Sequence, residues 1–312
     1  MDGPVDLGHQ TFGIDTQMSG YDGITAGYLV RTSRPCLVET GTAASAARVT
    51  AELAALGIGP TDLATIVVTH IHLDHAGGVG DLAAAFPTAQ VVVHEAGASH
   101  LADPERLMRS ARRVFGDDVV DTVLGVLRPT AADRIQVLGD VGSIDLGDGR
   151  TLRSYHAPGH ARHHVGLLDS DTGDLYVGDA AGIYVPETAD VRPATPPPDF
   201  DLELACRSLD RFRDLEPTRL LFSHFGPVSD VAATLDRSEE ELRLWVELVA
   251  EARGDGLDLD HAVARVVERT RDRYAAFFAR PDRSEAFEAL NPTSSNVAGI
   301  LRYLDHLESS VE

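Results

Sequence analysis

Residues 67–78 read VVTHIHLDHAGG, and this stretch restricts the possible folds of the chain more than any other. Four side chains able to hold a metal, His70, His72, Asp74 and His75, fall within six positions, after an apolar run and before two glycines. Histidines that bind one ion from a helix stand four apart, as in HExxH, whereas His70 and His72 stand two apart. The segment is therefore read as a loop at a strand end with its side chains turned inward. Its glycines would let the backbone pass close to an ion without a Cβ in the way. Catalytic zinc takes about three protein ligands, so four here with more downstream predict two metals. Paired metals ~3.5–4 Å apart clamp a displacement reaction from both sides.

The missing donors come from three further strand ends. HAPGHARHH supplies His160 after a Pro-Gly turn, YVGDA supplies Asp179, and LFSHFGP supplies His224. Five of the 13 histidines lie on these positions, a clustering that scattered surface or core histidines would not produce.

Around these points the chain alternates β-rich and helical runs. Strands are expected at 24–30, 36–39, 65–69, 90–94, 134–138, 151–157, 164–169, 174–179 and, last, 219–227 ending at His224. Helices are expected at 42–57 behind the N-cap Thr42, at 81–86 and at 201–215. Two more fill an insertion at about 97–130. The proline-rich run PETADVRPATPPPDF (186–200) is read as irregular. From about 236 the pattern is helical only, opening at Ser238 before a run of glutamates. Two groups of strands with helices between them fit two mixed sheets packed face to face with helices outside.

The 312 residues are 43% hydrophobic, enough for a sizeable core, and carry a formal net charge of −22. So acidic a surface repels phosphate backbones and anionic lipid, which argues against nucleic-acid and membrane partners. The amino end shows no basic and apolar leader pattern and no run approaches the length of a membrane span, so a cytoplasmic location is expected. Cys36 and Cys206 are read as two free thiols. No GxSxG elbow points to a serine nucleophile.

The four segments THIHLDHAGG, PGHARHH, GDA and SHFGP, in this order over roughly residues 24–228, resemble the metallo-β-lactamase superfamily of metallohydrolases. The resemblance implies an α+β fold, a four-layer αββα sandwich of two mixed β-sheets. A catalytic domain over 1–235 would carry the insertion, and a helical C-terminal extension would follow over 236–312. It implies that His70, His72 and His160 hold one metal, that Asp74, His75 and His224 hold a second, and that Asp179 bridges them. An aspartate at 179 points to the glyoxalase II, lactonase and general hydrolase branches rather than to the lactam-hydrolysing one.

The expected activity is a dinuclear, zinc-dependent hydrolase. It would open an ester, thioester or lactone by attack of a metal-bridging hydroxide, with Asp74 orienting the hydroxide and accepting its proton. The same ligands also accept Fe2+ or Mn2+. One alternative is a mononuclear non-haem iron dioxygenase of the persulfide dioxygenase type, using His70, His160 and Asp179. Another is a non-catalytic metal-binding accessory protein.

The remaining candidates are weaker. His164, four after His160, is placed for a hydrogen bond to a ligand, while His163 and His156 lean to structural roles. Tyr184 and Arg109 are the weak candidates for contacting a small-molecule substrate. Tyr184 otherwise reads as a packed tyrosine, and Arg106, Arg109 and Arg113 as a solvated helix face. The insertion and the proline-rich loop are expected to wall the substrate pocket. Trp245, Tyr274, Phe277 and Phe278 read as core or dimer packing, so a homodimer is allowed but not required.

Overall fold

The computed structural model describes residues 3–309. Two sheets face each other across a shared apolar layer, with helices outside, as the α+β sandwich requires. The first sheet takes its seven strands in chain order: Val5–Asp6, Thr11–Asp15, Ala26–Val30, Cys36–Val38, Thr65–Val67, Gln90–His94 and Ile135–Leu138. Pairing is antiparallel up to Cys36–Val38 and parallel from there on. The switch follows from the connections. Parallel neighbours need a crossover, and helices at Ala46–Ala55, Val79–Ala85 and through the insertion supply it.

The second sheet has the order Gly226–Val228, Arg219–Phe222, Asp174–Gly178, Val165–Asp169, Arg150–His156, Val141–Gly147. Its one parallel pairing joins Asp174–Gly178 to Arg219–Phe222 across the helix Leu202–Asp214. Strands buried on both faces read as continuous apolar runs, and alternation sorts their side chains. Cys36, Val38, Val67 and Val92 turn between the sheets to meet Leu167, Tyr176 and Leu221. Leu37, Ile66, Val91, Val93 and Leu220 turn outward under the helices. Truncating any of these to alanine costs roughly 2–5 kcal/mol for a leucine. The scaffold beneath the site is therefore stiff.

Several expectations change. The first sheet begins earlier than residue 24, with a hairpin at Val5–Asp15. A strand at Val141–Gly147, also unforeseen, closes the edge of the second sheet with three of its seven residues exposed. The run 186–200 is not wholly irregular. Asp190–Arg192 pairs with Ile183–Val185, while the prolines at 193 and 196–198 stay outside the ladder. The strand ending before His224 is not the last, because Gly226–Val228 folds back on it. The insertion holds three helical pieces, Glu95–Ala102, Glu105–Phe115 and a final turn pair over 117–124.

The long C-terminal helix starts at Val231, capped by Asp230, so Ser238 lies inside it and bonds back to Thr234 and Ala181. That helix, Val231–Gly254, runs across the position where the sequence divides catalytic domain from extension, and its Leu235, Leu242 and Trp245 share the core of the helical layer. Trp245, Tyr274 and Phe277 are core, as one of the two readings had it. Cys36 and Cys206 are free and buried. No helix among the described residues is long and apolar enough to cross a membrane.

Candidate metal centre

The parallel strand Thr65–Val67 ends below His70, and the chain then makes a single helical turn, Leu73–Ala76, with His72 at its N-cap. The segment is thus a turn of helix rather than the expected loop. The helical turn puts Asp74 and His75 on one side while His72, in extended conformation, stays with His70. Gly77 and Gly78 serve a different purpose from the one expected. A Cβ on Gly77 would lie 2.2 Å from the Leu73 carbonyl oxygen and 2.8 Å from the Ala43 nitrogen. They make room for the Thr40–Ala43 segment, not for an ion.

His70 Nε2, His72 Nδ1 and His160 Nε2 form a triangle with sides of 3.0, 2.9 and 3.2 Å. Nitrogens bound tetrahedrally at ~2.0–2.1 Å stand roughly 3.3 Å apart, so the triangle has the size of one face of a zinc site. Partners on the far side of each ring fix the tautomers. His160 Nδ1 lies 2.9 Å from the Ala194 carbonyl, which can only accept, so Nδ1 carries the proton and Nε2 presents a lone pair. His70 Nδ1 meets Thr69 Oγ1 at 3.0 Å. Burial first, then the neighbouring imidazoles, hold His70 far below the usual histidine range and His72 at about 4, so both are neutral ligands at neutral pH.

A second group gathers Asp74, His75, Asp179 and His224. His75 Nε2 lies 3.0 Å from His224 Nε2, 3.4 Å from Asp74 Oδ2 and 3.2 Å from Asp179 Oδ1. His224 Nδ1 donates to the Ile24 carbonyl at 2.9 Å, leaving Nε2 unprotonated. Asp179 faces both groups: Oδ1 stands 3.2–3.3 Å from His75 and His224, and Oδ2 stands 3.6 Å from His160. Its Oδ1 is buried without a hydrogen-bond donor.

Glu39, which sequence reasoning missed, takes the Nδ1 proton of His75 at 3.2 Å through Oε2 and the Thr69 N–H at 3.0 Å through Oε1. Among the described residues the only ion-pair partners of Asp74, Asp179 and Glu39 are histidines. Burial raises the carboxyl groups of Asp74 and Asp179, but the adjoining histidine charges outweigh it and hold both below the usual carboxylate range. Burial would lower His75, and the three carboxylates reverse that and raise it. Three anions in a buried pocket need cations, and the converging lone pairs fit divalent metal ions.

His164 makes the contact expected of it: its Nε2 accepts the Asp179 N–H at 3.1 Å. A Cβ on Gly178 would sit 2.4 Å from that nitrogen, so glycine is required next to Asp179. His163 Nδ1 accepts the Ile71 N–H at 3.4 Å. His156, Asp140 and His94 form a third cluster. Its two rings stack 4.4 Å apart and within 5° of parallel, so their lone pairs run side by side rather than converge. His94 Nδ1 accepts the Ala96 N–H, which places the proton on Nε2. That cluster is not built as a metal site.

A cleft of about 270 Å³ opens over His72, Asp74, His160, Asp179 and His224. The insertion helix Glu105–Phe115, Pro196–Pro198 and the start of the helix Thr293–Ser309 wall it, in line with the expectation for the first two. Neither weak substrate candidate lines it. Arg109 is 67% exposed and paired with Glu105 at 3.2 Å, because its helical phase turns it to solvent. Tyr184 packs its ring on Phe222, 5.6 Å between centroids, and its backbone clamps the strand around His224. Arg106 of the same stripe does reach the cleft.

Comparison with known proteins agrees with this geometry. Residues 20–224 match the model of the metallo-beta-lactamase superfamily. The chain is 34% identical over 167 residues to the metallo-beta-lactamase fold-containing protein ST1585 of Sulfurisphaera tokodaii, covering 53% of this chain and 61% of that one. It is 27% identical over 213 residues to a hydroxyacylglutathione hydrolase of a Synechococcus strain, covering 66% of each. Over 118 residues it is 33% identical to the human acyl-coenzyme A thioesterase MBLAC2, covering 36% of this chain and 39% of that one. The chain thus spans less than two thirds of the length of these relatives.

The crystal structure of ST1585 superposes with a TM-score of 0.62 at 27% identity, over 77% of this chain and 87% of that one. A metallo-beta-lactamase family protein from Thermus thermophilus, TTHA1429, superposes with a TM-score of 0.68 over 97% and 95% of the two chains, and at 24% identity it speaks for the fold alone. With the matched segment containing every one of the seven clustered side chains, this chain belongs to the metallo-beta-lactamase superfamily.

Proposed function

We propose that the protein is a dinuclear metal-dependent hydrolase of esters, thioesters or lactones acting on a small-molecule substrate. The observation that carries this reading is the placement of Asp179, whose two oxygens face two separate groups of ligand atoms. His70, His72 and His160 would hold one ion and Asp74, His75 and His224 the other, with Asp179 shared. Two divalent cations there, zinc in the first instance, would bring the pKa of an intervening water toward ~7 and polarise a carbonyl oxygen.

The chain's own residues do the rest. Asp74 is the only carboxylate of the group with appreciable exposure, 20%, and it lines the cleft, so it can orient the attacking water and take its proton. The names of relatives support a thioester or glutathione-ester class, since one is a hydroxyacylglutathione hydrolase and another an acyl-coenzyme A thioesterase.

The test is metal analysis of protein purified without chelator, followed by turnover of a thioester and lactone panel. About two zinc ions per chain and turnover lost by about 10²–10⁴-fold in Asp74→Asn, with the fold intact, support the reading. One iron per chain, or no turnover with any metal, overturns it.

A further inference from the structure

The cleft wall changes character along a single helix. Glu105–Phe115 presents Arg106, Leu107, Ser110, Ala111, Val114 and Phe115 to the cleft, a stripe three and four residues apart. With a rise of ~1.5 Å per residue, Arg106 and Phe115 stand about 13 Å apart along that wall. At the Phe115 end the cleft is lined by Val119, Leu124 and Met18. Val114, Phe115 and Val119 are 45%, 40% and 38% exposed there, a concentration of bare apolar surface that an apolar occupant would cover.

Arg106, His100, Arg162 and Asp199 also line the cleft, and Arg106, Arg162 and Asp199 all act electrostatically on His100. The carboxylate of Asp199 takes up Arg162 through two bonds of 3.1 and 3.0 Å. No hydrogen bond or ion pair among the described residues engages Arg106. Its helix neighbours Arg109 and Arg112 are paired with Glu105, Asp117 and Asp121. Arg113 is unpaired too, but it does not line the cleft. Arg106 is itself exposed, so it stands at the solvent side of the cleft wall, and in a chain of net charge −22 an unpaired guanidinium at that position is a site for an anion.

We propose that the cleft takes an ester or thioester with one apolar arm and one arm ending in an anion, the apolar arm against Val114, Phe115 and Val119 and the anion on Arg106. This rests on the hydrolase reading, because the scissile carbonyl between the two arms is then set over Asp74 and its neighbouring ligands. Arg106 sets specificity and touches neither the reacting atoms nor the metal ligands.

The experiment compares thioesters of one length: octanoyl 3-mercaptopropionate, which is anionic, and octanoyl 3-mercaptopropanol, which is neutral. The octanethiol monothioester of succinate places the anion on the acyl side. KM for at least one anionic thioester is expected to lie about tenfold below that of the neutral one. The Arg106→Ala variant removes that gap, with kcat and the neutral KM unchanged within about twofold, and Arg113→Ala preserves it. The Phe115→Ala variant raises KM for octanoyl more than for acetyl thioesters.

Equal KM for anionic and neutral thioesters, or a gap that survives Arg106→Ala, overturns the proposal while leaving the hydrolase reading in place. If no thioester is cleaved, the thioester part of the hydrolase reading fails alone. The uncleaved compounds then become ligands, and their calorimetric Kd values must show the same Arg106-dependent gap.

Discussion

His75 and Glu39 form a buried pair in which Nδ1 lies 3.2 Å from Oε2 and neither side chain is more than 2% exposed. The pair sets the face that His75 turns to the second ligand group. While the carboxylate holds the Nδ1 proton, Nε2 is the nitrogen turned toward Asp74, Asp179 and His224, and its lone pair is the one a metal there would take. Replacement Glu39→Gln keeps an acceptor for the Thr69 N–H but opposes an amide N–H to His75 Nδ1. The proton then moves to Nε2 and blocks the ligand face. Metal affinity is expected to fall about 10–100-fold, measured by competition with a chromophoric chelator. An unchanged affinity would show that the Glu39 contact does not set the tautomer.

If the candidate centre holds metal as proposed, removing it should loosen the protein. With the carboxylates of Asp74, Asp179 and Glu39 balanced only by imidazoles, the metal-free pocket holds poorly compensated charge. A ligand held at 100 times its Kd stabilises the fold by about 2.7 kcal/mol. Chelation should therefore lower Tm by roughly 5 °C, and re-addition of zinc should restore it. A Tm indifferent to chelator would mean that no metal is bound in the folded state.

The Gly77→Ala variant places a methyl group 2.2 Å from the Leu73 carbonyl oxygen. Both the helical turn bearing Asp74 and His75 and the Thr40–Ala43 segment must then shift. A stability loss of about 1–3 kcal/mol is expected, together with weaker metal binding because two ligands ride on that turn. Denaturant unfolding and metal titration on one preparation check both effects. Full stability in the variant would mean that the segment relaxes freely.

Glu288 offers a pH test away from the candidate metal centre. Burial raises its carboxyl, but the charge of Arg192, with bonds from Thr293, outweighs that and holds it below its ordinary value of 4.5. An acid lowered on folding adds stability above its unfolded pKa and loses it as pH falls through the folded value. Arg192 is 2% exposed, so Glu288→Gln strands a buried guanidinium. The expected cost at pH 7 is roughly 2 kcal/mol, discounted because Glu288 itself is 37% exposed. The difference in Tm between the two proteins should shrink as the pH falls below 4.5 and close once it passes the lowered folded value. A gap that does not narrow at all as the pH falls below 4.5 contradicts the pairing.

The donor set is legible in the amino-acid sequence because coordination chemistry dictates residue type: only His and carboxylate side chains serve, and seven of them stand at or just beyond the ends of apolar runs. The central strands are legible for the same kind of reason, since burial on both faces demands uninterrupted Val, Ile and Leu. The strand Val141–Gly147 escapes because an edge strand with one face in water carries no such run.

What only the tertiary structure decided is how elements distant in sequence are phased against one another. Glu39 ends its strand like any surface glutamate until Thr65–Val67 docks beside it and His75 folds over it. Arg106 and Arg109 are both exposed residues of one helix, and the packing of that helix over the cleft alone places the first along the cleft and the second away from it. Local sequence determines which groups a segment carries. The direction they face is set by the apolar surfaces that segment buries, and those surfaces belong to other parts of the chain.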